Sequence, residues 1–318
     1  RYLRLEHGTP SHDTFGRLFR LLDAKVFEAC FREWISDLAG VVAGVVAIDG
    51  KTACGSRDGR NTALHTVSAY ATASGLCLGQ EHTRGKGHEI AAIKALLDTL
   101  ALKGCIVTID AIGCQTEIAR KILDRGGDYL LAVKDNQKDL ADALREFFAD
   151  GEPRGFGSLP VSRFQSLEKD HGRIETRQAI WVADLSWLDK KLREHWPKLA
   201  GLGMIERQRE INGAVSTERA YYIGSQGIKS AESFAKAARD HWGIENSLHW
   251  VLDITFREDD CRVRKGHAPH NFAALRKFAL ALLRKDTQFP KRSLRSRRKT
   301  AERLPDYRAS LLGLSSQS

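Results

Sequence analysis

The sequence predicts a mixed α/β fold in which one β-sheet carries helices on its faces. Short β-branched apolar runs, such as residues 45–51 and 105–110, alternate with segments whose apolar residues recur every three or four positions. Stretches rich in Gly and Ser separate these segments, as turns do. With 318 residues, 42% of them hydrophobic, the chain is long enough for one large domain or for a core with appended modules.

Residues 11–39 are expected to form two short helices, the main part of a helical N-terminal segment over residues 1–40. Ser11 can cap the first helix and Asp23 the second, because their side-chain oxygens can accept the free N–H groups of a first helical turn. Apolar residues follow each cap at helical spacing.

A sheet-forming segment follows over residues 41–150, the first part of the expected core. The patterns predict strands and helices in the order 45–51 (strand), 63–71 (strand), 76–83 (strand), 89–102 (helix), 105–110 (strand), 116–125 (helix) and 129–133 (strand). Such an order gives a mixed sheet with helices on its faces. It fits a ribonuclease H-like fold better than a uniformly alternating doubly wound fold.

Residues 151–228 break this pattern and are expected to form a strand-rich insertion. Strands are predicted at 173–183, 204–211 and 219–223, with a helix at 187–196. Helical spacing returns after Ser230, an expected cap, and continues past Glu245. A further helix is predicted at 268–283. We therefore assign residues 229–283 to the second part of the core and residues 284–318 to a basic C-terminal tail.

The charge and the cysteines narrow the class of protein. The net charge is +10, and between Arg284 and Arg308 ten Lys or Arg residues stand against three acids. Such a run can neutralise phosphates, although a solvated, disordered tail is the simpler alternative. No apolar run approaches the roughly 20 residues of a membrane span, so we expect no membrane contact. Scattered cysteines, expected to be reduced, favour a cytoplasmic location. The six cysteines include no Cys-x-x-Cys pair, which argues against a zinc site or a disulfide framework.

Three carboxylates stand where a cation site could form. Asp49 and Asp110 each end a buried-looking strand, and Glu245 falls in the helical pattern after the insertion. Mg²⁺ prefers oxygen ligands, and two such ions can hold the attacking and leaving oxygens of a phosphoryl transfer. Each acid also has a structural interpretation: Asp49 can begin a turn, Asp110 can cap the next helix, and Glu245 can pair with a surface cation. The carboxylates alone leave the function open.

Polar and basic residues near these acids are candidate contacts to a DNA backbone. Lys51 is expected on the same face of its strand as Asp49. The other candidates follow the last core strand, follow Glu245 or lie in the tail: Lys134, Asn136, Gln137, Arg257, Arg262, Arg264, Lys265, Lys291, Arg292, Arg295, Arg297 and Arg298. Acids 258–260 could be auxiliary metal ligands, but the favoured interpretation is that they balance the neighbouring arginines. Trp242 and Trp250 could stack on a base, but core packing is the favoured interpretation.

Several motifs, in order from Pro10 to Leu283, resemble the DDE-type insertion-sequence transposases, specifically the H repeat-associated proteins. They are PSHDTFGRLF, VAIDGKT, ALHTVSAYA, KGCIVTIDAIGCQ, DYLLAVKDNQ and the long, highly specific block from HWGIENSLHW to FALALL. The resemblance implies a ribonuclease H-like catalytic domain whose metal site is Asp49, Asp110 and Glu245, using Mg²⁺ with Mn²⁺ as a substitute. It also implies cleavage at transposon ends, strand transfer into target double-stranded DNA, a homodimer on DNA, and a place on the bacterial nucleoid.

The chain departs from the family pattern in three places. Only residues 1–9 precede the first motif, where the family has a helical segment, so a truncated N-terminal segment is expected. The Tyr, Arg and Lys that related transposases carry around the catalytic Glu have no counterpart at His241 and Leu252. The usual Lys-x-Asn-Glu run is KGHE at 86–89. Two alternatives stay open: a catalytically silent, domesticated DNA-binding descendant, and a ribonuclease H-like nuclease that cuts without strand transfer.

Overall fold

One large, mostly antiparallel sheet with flanking helices organises the chain, so the predicted α/β class is confirmed. A computed structural model describes residues 6, 8–59, 62–83, 85, 87–170, 173–211 and 213–314. Residues 1–5 of the expected N-terminal segment, position 86 of the KGHE run and residues 315–318 of the basic tail lie outside the described residues.

The strands of the described chain form a single sheet. In chain order they are β1 (Gly44–Ala53), β2 (Leu64–Ala71), β3 (Leu76–Thr83), β4 (Cys105–Ile109), β5 (Asp128–Val133), β6 (Val161–Asp170), β7 (Arg173–Val182), β8 (Gly201–Ile211) and β9 (Ala214–Gly224). Their order across the sheet is β3-β2-β1-β4-β5-β9-β8-β7-β6. β4 runs parallel to β1 and to β5, and the other neighbouring pairs are antiparallel.

The helices pack on both faces of this sheet. They are α1 (His12–Leu21), α2 (Ala24–Ala39), α3 (Glu89–Thr99), α4 (Thr116–Asp124), α5 (Lys138–Gly151), α6 (Lys190–His195), α7 (Ala231–His241), α8 (Trp250–Phe256), α9 (Ala268–Lys285), α10 (Leu294–Arg303) and α11 (Pro305–Leu311). Ser11, Asp23 and Ser230 cap α1, α2 and α7 through their side chains, as the sequence predicts.

The insertion extends the core sheet instead of forming a separate layer. β9 pairs with β5 from Leu130 opposite Gly224 to Val133 opposite Tyr221. The sequence does not indicate β6, because this edge strand is mostly polar and its apolar residues do not alternate with polar ones. It also leaves α5 unassigned, although Leu140 and Leu144 recur there at helical spacing and are buried.

The alternation of side chains along β1 decides where a site can form. Val46 and Ile48 pack in the apolar cluster that contains α3, α4 and α5. Val45 faces α7, and Ala47 faces the helical segment beyond it. Because successive side chains point to opposite faces of a strand, Asp49 continues the series of Val45 and Ala47. Its carboxylate therefore points to the face on which α7 and α8 lie.

The turn after β1 is held tightly against the segment that follows α8. Asp259 Oδ1 accepts a hydrogen bond from the Cys54 backbone N–H at 3.1 Å, and Arg264 Nε donates to the Gly55 carbonyl at 3.1 Å. A Cβ atom at position 55 would overlap the backbone carbonyl oxygens of Asp259 and Cys261. The absence of a side chain at Gly55 permits this close approach.

We expect Gly55→Ala to lower the free energy of unfolding by about 1–3 kcal/mol, because backbone must move to admit the methyl group. Gly59→Ala is the matched control, since a Cβ there meets no atom within 4 Å. Urea denaturation of both variants measures the difference. Equal midpoints for the two would show that the loops do not approach each other this closely.

Candidate active site

Asp49, Glu245 and His249 form a cluster on the α7–α8 face of the sheet. One ligand atom from each side chain lies within 4.8 Å of those from the other two. His249 Nδ1 is 3.0 Å from Glu245 Oε2 and 3.7 Å from Asp49 Oδ2. Across the described residues no other group of three His, Cys, Asp or Glu side chains has this spacing. Two of the three predicted acids therefore meet, together with a histidine that sequence reasoning did not assign to the site.

Asp49 lies in an environment that disfavours its ionised form. Burial raises its pKa to about 7, the N–H of Gly50 opposes this, and the negative charges of Asp110, Glu245 and Glu89 add to the increase. Oδ1 accepts the Gly50 N–H at 2.8 Å, while Oδ2 faces His249. A carboxylate that is buried among like charges gains from a nearby cation.

Glu245 and His249 lie on a π-helical segment, Ile244–His249, between α7 and α8. The Trp250 N–H donates to the Glu245 carbonyl, which closes the wider turn. Arg284 of α9 donates to the carbonyl oxygens of Ser247 and Gly75, so it fixes this segment to the β2–β3 turn. π-helical turns are frequent at functional sites. The sequence predicts continuous helix here, because helical periodicity does not reveal one wide turn.

Asp110 lies beside Asp49 but makes a different contact. Ile48 and Ile109 are paired in the parallel ladder of β1 and β4, so the next residue of each strand is also adjacent. Asp110 Oδ1 accepts the Ile112 N–H at 3.2 Å and caps a short 3-10 turn, Ala111–Gly113. The capping role considered from the sequence is therefore present. It occupies one oxygen, and the role of Asp110 as a metal ligand stays a prediction.

Lys51 lies on the same face as Asp49, and three carboxylates surround its ammonium group. The Nζ atom is 2.8 Å from Asp253, 3.5 Å from Glu258 and 3.1 Å from Asp259. Burial alone would lower the pKa of Lys51, but these acids outweigh it and raise the pKa. Of these acids, Asp260 balances a neighbouring arginine as predicted, since it lies 2.8 Å from Arg257. Glu258 and Asp259 instead pair with Lys51, which serves this internal network.

Several other predicted DNA contacts have partners within the protein. Asn136 and Gln137 donate to the carbonyl oxygens of Ala111 and Cys114, which holds the turn that Asp110 caps. Arg297 is buried in the tail and donates to backbone carbonyl oxygens there. Most of the remaining candidates are exposed: Lys134, Arg257, Arg262, Lys265, Lys291, Arg292 and Arg295.

The core packing favoured for Trp242 and Trp250 is wrong. Their side chains are 54% and 58% exposed, and they flank the π-helical segment that carries Glu245. Helical spacing next to apolar residues suggests burial, but nothing in the described chain covers this side of the segment.

Comparison with known proteins identifies the class of protein to which this fold and site belong. Residues 14–282 match the transposase DDE domain family. The chain therefore belongs to the DDE transposase family, and its resemblance to H repeat-associated proteins is confirmed. It is 39% identical to the "H repeat-associated putative transposase YhhI" of Escherichia coli K12 over 98% of this chain and 83% of that protein. It is 40% identical to the "Putative transposase YncI" of Escherichia coli O157:H7 over 89% of this chain and 73% of that protein.

Structural comparison adds little to this assignment. The chain aligns with a piggyBac transposase in a synaptic complex with hairpin DNA at 11% identity, covering 97% of this chain and 69% of that one. The TM-score is 0.39, which is too low to support an argument. Within the described residues, no helix is long and apolar enough to cross a membrane. A cytoplasmic, nucleoid-bound location stays a prediction.

Proposed function

We propose that this chain is an active transposase that cuts DNA at the ends of a mobile element and joins the freed end to target DNA. The convergence of Asp49 and Glu245, far apart in the sequence, on one cluster carries this proposal. Membership of the DDE transposase family supports it. The first five strands, in the order β3-β2-β1-β4-β5 with β4 parallel to β1 and β5, support a ribonuclease H-like core.

The donor set fits the divalent cations that the family implies. Asp49 and Glu245 offer carboxylate oxygens, which are the ligands that Mg²⁺ and Mn²⁺ favour, and Asp110 would be the third acid. The raised pKa of Asp49 reflects buried like charges, which a cation would offset. When bound, such ions stabilise negative charge on the attacking and leaving oxygens of a phosphate. The protein groups would hold these ions and orient the DNA.

A face of α10 is the strongest candidate for contact with the DNA backbone. Arg295, Lys299 and Arg303 are exposed and follow one another at four-residue spacing, about 6 Å of rise per step. They line a shallow cavity of about 330 Å³ together with Ser293, Ser296 and Thr300. Leu294 packs into the apolar cluster that contains Leu248, a neighbour of Glu245. We call Arg295, Lys299 and Arg303 the α10 basic face. Phosphates bound there would contact a helix that packs against the π-helical segment carrying Glu245.

Replacing all three residues of the α10 basic face by Gln is expected to lower the affinity for DNA. It is also expected to make that affinity less dependent on salt concentration. Each lost phosphate contact reduces the slope of log K against log salt concentration by about 0.9, so a decrease of about 2–3 is expected. Fluorescence anisotropy with duplex DNA at several salt concentrations measures it. The control replaces three cations of α6, Lys190, Lys191 and Arg193. Equal slopes for the two triple variants would exclude the α10 basic face.

The proposed reaction is tested with labelled DNA carrying the inverted repeats that flank the gene. With Mg²⁺ or Mn²⁺, we expect cleavage at the repeat end and joining of that end to a second duplex. Binding without cleavage would select the silent descendant, and cleavage without joining would select the nuclease. Unchanged metal-dependent cleavage by Asp110→Ala would show that the assignment of the third acid is wrong. Sedimentation of the DNA complex tests the proposed homodimer.

A further inference from the structure

We propose that His249 is a positioning residue whose Nδ1–H donates a hydrogen bond to Glu245 and fixes this carboxylate beside Asp49. This inference rests on the proposed function and deepens it, because it concerns the same site. The His249 side chain is only 3% exposed, and its Nδ1 is 3.0 Å from Glu245 Oε2. Asp49 Oδ2 lies on the same side of the ring at 3.7 Å.

The hydrogen-bond partners assign the proton of His249 to Nδ1. A nitrogen lone pair 3.0 Å from a carboxylate oxygen would repel it, whereas an N–H at this distance makes a charge-assisted hydrogen bond. Nε2 is buried and has no hydrogen-bond partner in the described part of the chain. A proton on Nε2 would therefore be an unsatisfied buried donor, and it would leave the Nδ1 lone pair against the Glu245 carboxylate.

Glu245 needs such a partner because its own side chain is loosely held. It is 55% exposed, so the carboxylate would sample several rotamers without a fixed donor. His249, in contrast, is held within a well-packed layer: Leu248 and Val251 on either side of it are buried in one apolar cluster. The π-helical turn sets both residues on the same side of the segment. The buried imidazole thus provides a fixed donor that restricts the rotamers of the exposed Glu245 carboxylate.

A direct metal ligand is the competing role for His249, and cation selectivity separates the two. An imidazole ligand favours Mn²⁺ over Mg²⁺, which prefers oxygen. A hydrogen bond to the Glu245 carboxylate instead increases its affinity for Mg²⁺ and Mn²⁺ alike. Loss of such an outer partner typically costs about 10–100-fold in metal affinity.

Two variants and one control test this role. His249→Asn keeps an N–H donor on the atom attached to Cγ, as Nδ1 is, whereas His249→Leu keeps volume and removes the donor. His195→Leu, at an exposed histidine of α6, is the control. Electron paramagnetic resonance measures Mn²⁺ binding to the full chain, and competition measures Mg²⁺ binding. We expect His249→Leu to weaken both by the same factor, about 10–100-fold, and His249→Asn to bind almost like the wild type.

A measurement on the unaltered protein accompanies these titrations. Long-range ¹H–¹⁵N spectra of chain with labelled histidine report which ring nitrogen carries the proton, and the signal missing from His249→Asn is that of His249. We expect protonated Nδ1. A proton on Nε2, a loss of Mn²⁺ binding much greater than that of Mg²⁺, or unchanged binding in His249→Leu would each overturn the proposal.

These readouts need no DNA and no turnover, so the two proposals fail separately. A chain that gives the expected spectra and titrations but does not cut DNA would refute the proposed function alone. A chain that cuts and joins DNA, with metal binding that is indifferent to His249→Leu, would refute the role of His249 alone.

Discussion

Asp49→Asn and Glu245→Gln are each expected to reduce metal-dependent DNA cleavage by roughly 10³-fold, the upper end of the loss on removing one preorganised electrostatic group. Both changes keep the shape of the side chain and remove its charge. A neutral amide is a poorer ligand for a hard cation than a carboxylate is. Because the two acids share one cluster, the double variant should lose little more than either single variant.

Stability separates this loss from simple unfolding. The pKa of Asp49 is about 7 in the folded chain, above its ordinary value of 3.8, chiefly because of burial. Its contribution to stability is therefore fully present below about pH 4 and is lost as the pH rises through 7. Asp49→Asn does not ionise and so does not lose this stability. Without metal, the free energy of unfolding of Asp49→Asn should therefore increase relative to that of the wild type as the pH is raised from 4 to 8. Denaturant titration at both pH values measures the difference.

Glu232→Gln is the control for the cleavage measurement, because Glu232 is an exposed acid in the first turn of α7. It should cleave DNA at the rate of the wild type. Retained cleavage in Asp49→Asn or Glu245→Gln would mean that the Asp49–Glu245–His249 cluster is not the catalytic centre. An equal loss of cleavage in Glu232→Gln would mean that the substitutions reduce cleavage by disturbing the fold around α7.

The parts of the site that follow from local periodicity could be predicted from the sequence. Two apolar runs that each end in Asp predict two strands that carry acids, and the paired Ile48 and Ile109 place Asp49 beside Asp110. Asp110 directly follows its strand as predicted, but Asp49 does not end its strand, because β1 continues to Ala53. Side-chain caps at Ser11 and Asp23 follow equally from local chemistry. These features depend on residues within one turn or one strand.

The parts that depend on distant residues could not be predicted. The π-helical turn depends on contacts such as that of Arg284 with the Ser247 carbonyl, and no local pattern encodes it. The basic tail forms α10 and α11, because Arg297 and Tyr307 find buried partners there. The exposure of Trp242 depends on which elements cover the π-helical segment, and the sequence does not show this.

Lys51→Met is expected to lower the free energy of unfolding by about 3 kcal/mol, because it removes the cation that three partly buried acids share, of which Glu258 keeps Arg276 at 3.7 Å. The Lys51 side chain is 11% exposed and Glu258 is 5% exposed, so water replaces the lost ammonium poorly. Lys94→Met is the matched control. Lys94 and Glu117 also form an ion pair, at 2.7 Å, but their side chains are 33% and 66% exposed. Such exposed pairs contribute less than about 1 kcal/mol.

Asp253→Asn with Asp259→Asn in the Lys51→Met background decides why stability is lost. If unpaired negative charge is the cause, removing two of the acids should recover much of the loss, as measured by urea denaturation. If the loss comes from packing of the lysine stem, the added changes should recover nothing. Lys51 is two residues from Asp49, and Asp253 lies on the helix that follows Glu245. If stability recovers but DNA cleavage does not, we would conclude that the ion pair of Lys51 with Asp253 holds the π-helical segment and α8 against β1, the strand that carries Asp49.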